Sequence, residues 1–258
     1  MDQLLKLFEI DQVQFNAFLQ VTRGGVAGSA ALWAIMLEQR LCEVDATSEC
    51  RWCDEGCEIC SECIERSKTD LKWTPGDIDI WIPLPGITKE DCRDSEEFLN
   101  PSKNYTLPLL TDIVTQFMSV QNYKRLRFCD EQGNLPRKKP EDSSFANYFD
   151  KLSVKWLCKI LNFKNAAGQS VQIMFTSDMQ FSTIRDSFDL SVCQVMYLPQ
   201  NGFKSTSSSV LANIKDRQAY VLTEKSTSTF AMEQLERRCQ KYRERGFEVM
   251  KQGWIKTT

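Results

Sequence analysis

Asp77 and Asp79 lie two residues apart in DIDIWIP, a run in which apolar residues recur at every second position. A strand places both carboxylates on one face and turns Ile78 and Ile80 to the other. Two adjacent carboxylates repel each other unless a proton or a cation intervenes, and together they make a hard oxygen site suited to Mg²⁺ or Mn²⁺. The plainer reading is a solvated face of an edge strand, but Trp81 follows on the carboxylate face. Upstream, Gly24, Gly25, Val26, Ala27, Gly28 and Ser29 lead straight into the helical run AALWAIMLEQRL. A glycine-rich turn at a helix N-terminus lets backbone N–H groups approach a phosphate, and the helix dipole favours the anion. The same turn also serves close packing alone.

A third group of reactive residues is the cysteines. Of 11, six (Cys42, Cys50, Cys53, Cys57, Cys60 and Cys63) fall within 22 residues, while Cys92, Cys129, Cys158, Cys193 and Cys239 are scattered singly. Single cysteines read as small core hydrophobes. The pairs Cys50-x2-Cys53 and Cys60-x2-Cys63 have the spacing of a closed tetrahedral thiolate site for structural Zn²⁺, with Cys42 and Cys57 as alternative ligands. An iron–sulfur cluster and free thiols remain the other readings. The chain has no histidine. That excludes Ser-His-Asp and Cys-His catalysis, a histidine general base and histidine metal ligands, and it makes any zinc site all-thiolate.

Composition sets the frame around these residues. The 258 residues carry Lys+Arg 32 against Asp+Glu 35, with 42% hydrophobic residues, enough to build a substantial core and to exclude wholesale disorder. The net charge of −3 argues against a general nucleic-acid binder. The N-terminal run mixes acids with leucines and reads as an amphipathic helix instead of a signal peptide. Residues 26–37, the most apolar stretch, are too few to span a bilayer. No membrane partner is expected, and the cysteines suggest a reducing intracellular compartment in which thiols or metal ligands outnumber disulfides.

The elements that must position the site follow from hydrophobic periodicity. Residues 3–20 and 30–41 read as helices, residues 77–83 as a strand, and residues 107–120 as a helix. Residues 125–130 suggest a short strand, followed by a polar loop. Strands are expected at 154–161 and 171–177 around a turn containing Gly168, then a short helix in FSTIRDSF and a strand in DLSVCQVMY. Residues 205–258 read as a helical C-terminal region, with a helix over 229–245 stopped by Gly246. Residues 42–72 are polar and cysteine-rich and read as an insertion. The order predicts one domain over 1–258 of α/β or α+β class, a small mixed sheet flanked by helices. Arg125, Arg127, Arg137, Lys138 and Lys139, and the basic run over 237–245, serve either to approach a phosphate or to form a solvated face.

A Gly-Ser turn entering a helix, followed by an Asp-x-Asp strand, resembles the DNA polymerase β-like nucleotidyltransferase superfamily. The flanking words VAGSAALWAIM and WTPGDIDIWIP, with FDLSVCQVMY and RRCQKYRERGF later, look most like members encoded by giant DNA viruses and some fungi. The resemblance implies that Gly28 and Ser29 cradle the phosphates of an NTP, and that Asp77 and Asp79 bind catalytic Mg²⁺ or Mn²⁺. It also implies transfer of a nucleotidyl group to a hydroxyl acceptor (protein, nucleic acid or small molecule). The family's third carboxylate, which completes metal binding and deprotonates the acceptor, falls to Asp189. The preceding strand offers Gln172 where the family expects an acid. The alternative implied by that glutamine is an inactive copy of the fold, acting as an interaction or virion-associated structural protein in the host cytoplasm or the virion.

Overall fold

The chain is described by a computed structural model for residues 1–46, 61–87, 106–126, 157–177, 180–222 and 229–251. Among these residues it forms eight α-helices and nine strands, seven of them in one mixed sheet. The N-terminal apolar run makes two helices, α1 (Asp2–Leu7) and α2 (Gln12–Thr22), instead of one. Glu9 takes φ 56°, which ends the first. Asp11 then starts the second by capping it, its carboxylate accepting from the Gln14 backbone N–H at 2.8 Å. Both helices bury large side chains, including Leu4, Leu5, Phe15 and Leu19.

The short strand β1 (Gly25–Ala27) runs directly into α3 (Gly28–Ala46). Helix α4 (Ser61–Leu71) packs beside α3, and its Leu71 is 1% exposed. The described ends of the cysteine-rich stretch therefore belong to the helical layer: residues 42–46 continue α3, and α4 contributes to the core. Strand β2 (Asp77–Pro83) matches the sequence reading. Helix α5 (Thr106–Val120) follows, then β3 (Lys124–Arg125), β4 (Leu157–Lys164) and β5 (Ser170–Thr176). The turn between β4 and β5 places Gly168 at φ 86°, and Asn165 closes it by accepting from the Gln169 N–H at 2.9 Å. The polar loop expected after β3 lies outside the described residues.

The C-terminal part departs most from expectation. After α6 (Phe181–Asp186), DLSVCQVMY splits into a 3-10 turn over Ser191–Cys193 and a strand β6 (Val195–Leu198), which pairs with β7 (Gly202–Ser205). Helix α7 (Ser208–Lys215) then ends where Arg217 turns the chain at φ 58° into β8 (Gln218–Val221), a strand inside the region read as helical. Strand β8 lies parallel to β9 (Glu248–Lys251), on the far side of helix α8 (Thr229–Glu244) in the chain. The region beyond residue 205 is therefore helical with a small parallel sheet. β-branched and aromatic residues in QAYV and EVMK favour those strands, a local signal weaker than the helical pattern around it.

The main sheet runs β3-β4-β5-β2-β1-β6-β7, with β2 parallel to β5 and the other pairs antiparallel. One face carries Ile78, Ile80 and Ile82, packed with Val171, Ile173, Phe175 and the helices in the principal core. On the other face Ala27, Trp81, Met174, Ile184 and Met196 form a second, smaller cluster. Phe188 meets Trp81 edge-on there, at 6.1 Å between ring centroids. No helix among the described residues is long and apolar enough to cross a membrane.

Candidate nucleotide and metal site

Strand alternation puts Asp77 and Asp79 on the face opposite the isoleucine core, as the sequence predicts. β1 is antiparallel to β2 with Ala27 opposite Asp79, so the residue after Ala27 meets the same carboxylate. That residue is Gly28, at φ 72°. A Cβ built on it would come within 2.9 Å of Asp79 Oδ2. The glycine is thus required twice, by its left-handed backbone and by the carboxylate against it. Ser29, largely buried, follows in the first turn of α3. The structure brings Gly28, Ser29, Asp77 and Asp79 together at the N-terminus of a 19-residue helix.

Both aspartates are part-exposed. Neither carboxylate makes a hydrogen bond or an ion pair with another described residue. Asp79 is pushed up to about 8, first by burial and then by the charge of Asp77, with Lys241 of α8 pulling the other way. A part-exposed acid pair with no ion-pair partner among the described residues is a site that gains from a cation. The donor set therefore fits one Mg²⁺ or Mn²⁺ held by Asp77 and Asp79. Among the described residues no third Asp, Glu, Cys or His joins them in a group able to hold a metal ion.

The neighbour where a third acid would stand is an amide. β5 runs parallel to β2 with Gln172 level with Asp79, and Asn162 of β4 lies opposite Gln172 on the far side. Along this row the sheet reads Asp79, Gln172, Asn162. Asp189 is not on a strand of this row. It precedes the 3-10 turn instead of sitting on a strand, its backbone carbonyl accepts from Leu222 N–H, and its carboxylate is paired with Arg238 of α8.

Helix α8 reaches the site from the C-terminal side. Tyr242 receives a hydrogen bond from the Cys193 thiol at 3.0 Å, and burial pushes that thiol up to about 12. Cys193 and Cys239 are buried thiols in the core, whereas Cys158 is disulfide-bonded. From the basic run, Lys241 acts on Asp79 and Arg245 feels Asp77. Sequence reading marked that run without choosing a role for it, because the docking of α8 is set by tertiary packing far from β2 in the chain. Trp73, which stacks under Arg245, opens the word WTPGDIDIWIP but was given no role from the sequence. The zinc reading falls outside the described residues at Cys50, Cys53 and Cys60; Cys63 is described only as part of the α4 backbone.

Compared with known proteins, the chain matches no family model and no curated protein.

Proposed function

We propose that the protein binds a nucleoside triphosphate with a divalent cation on a nucleotidyltransferase-like site, and that it works as a binding protein instead of a transferase. The observation that carries this reading is the register of β5, which sets Gln172 beside Asp79. Gly28 and Ser29 would cradle phosphate oxygens at the α3 N-terminus, and Asp77 and Asp79 would hold Mg²⁺ or Mn²⁺. The cation, when bound, neutralises the paired carboxylates and the phosphates together.

Transfer to a hydroxyl asks for more. A residue beside the aspartates must accept the acceptor's proton. A neutral glutamine amide has no such capacity, and its oxygen is a weak ligand beside a carboxylate. Asp189, the other candidate, has its carboxylate engaged by Arg238.

Calorimetric titration with ATP or GTP in the presence of Mn²⁺ tests the binding half of the proposal. Saturable binding that Asp77→Ala removes is the expected result. Binding that survives Asp77→Ala unchanged, or no binding by the wild type, overturns it.

A further inference from the structure

Arg245 lies just beyond α8 and is only 8% exposed. A guanidinium so deeply buried needs compensating contacts. Its faces have them: the group lies over the Trp73 ring at 3.9 Å from the centroid and over Tyr242 at 5.1 Å. Cation–π contact serves the plane of the guanidinium, not the N–H groups along its edge. Nη1 of Arg245 has no hydrogen-bond partner, and neither has Nε1 of Trp73 beneath it. Asp77 acts on the guanidinium through space, yet no ion pair joins the two.

Tyr242 also hydrogen-bonds the guanidinium, but Arg245 Nη1 and Trp73 Nε1 are left as two buried donors, one of them charged, with no acceptor. Neither can accept a hydrogen bond, so the group they suit is an oxyanion. A planar carboxylate would serve a single plane. A phosphoryl group presents oxygens in several directions and can meet the stacked guanidinium and indole at once.

We propose that Arg245 and Trp73 form an oxyanion subsite beside Asp77 that takes a phosphoryl group. Two sources share that chemistry: a free phosphate or pyrophosphate, and the phosphate tail of a nucleotide held at Gly28 and the aspartates. The subsite stands on its own observations and does not need the nucleotide reading.

The test is calorimetry of the full chain with phosphate, pyrophosphate and ATP plus Mn²⁺ in turn, on wild type, Trp73→Phe and Arg245→Lys. Trp73→Phe keeps the aromatic ring under Arg245 and deletes only the donor, and circular dichroism confirms that each variant is folded. The expected result is a loss of about tenfold in affinity for Trp73→Phe, the scale of one hydrogen bond to a charged group, and a larger loss for Arg245→Lys. Sensitivity with phosphate or pyrophosphate identifies a free anion as the ligand, and sensitivity with ATP alone identifies the nucleotide tail. ATP binding that is identical in all three proteins overturns the subsite while leaving the nucleotide reading intact. Pyrophosphate binding that drops in Trp73→Phe, with no ATP binding, does the reverse. Absence of binding by every probe overturns both.

Discussion

Gly28 and Asp79 depend on each other. The glycine allows the backbone to turn at φ 72° and the carboxylate to sit where a Cβ would stand. A Gly28→Ala variant is expected to lose about 1–2 kcal/mol from its left-handed backbone alone, read as a lower urea midpoint at unchanged slope. Asp79 gives a second prediction. Its folded pKa is raised to about 8 from an ordinary value of 3.8, so the folded state holds a proton that the unfolded chain releases. Its contribution is favourable below pH 4 and is lost as pH rises through 8. An Asp79→Asn variant, neutral throughout, should therefore be more stable than wild type at pH 8, by an amount on the order of 1 kcal/mol or more, with the gap closing near pH 4. A pH-independent difference in melting temperature between the two proteins would refute the assignment. These residues were legible in the sequence because a two-residue spacing and a Gly-Ser turn are local patterns. Arg245 was marked only as part of a basic run and Trp73 was given no role, since nothing local brings a loop before β2 under the end of α8.

β2 is the element on which the site depends. Its inner residues Ile78, Ile80 and Ile82 are wholly buried, and they fix which face the aspartates occupy. A one-residue slip would exchange the faces, so the core holds the register. Ile80→Ala is expected to cost about 2–5 kcal/mol, measured by urea unfolding, whereas the outward Asp77→Asn should change stability far less. A small effect at Ile80 would mean that another feature holds the strand. Most elements were legible from periodicity, β2 to its ends. The misses share one cause. The break at Glu9, the turn at Arg217 and the 3-10 step after Asp189 each interrupt a pattern that looks continuous in the sequence, and each is a backbone change that apolar spacing does not report. The last one matters for function, because it removes Asp189 from the strand on which a third acid was expected.

At the scale of the molecule, a mixed sheet carries its principal core on one face and the aspartate row on the other, with the end of α8 supplying nearby positive charge. The α/β class was legible from the order of elements. Gln172 was marked at the third position through the family resemblance alone; its register beside Asp79 was not legible, because strand order and register are properties of the assembled sheet. That register is also what separates binding from transfer. The most direct measurement is pyrophosphate release from an NTP with Mn²⁺, followed for wild type, Asp77→Ala and Gln172→Asp in one assay. The account predicts that wild type stays at the Asp77→Ala background and that a carboxylate at position 172 raises release above it. Release by the wild type that disappears in Asp77→Ala would contradict the account and make the protein a working transferase.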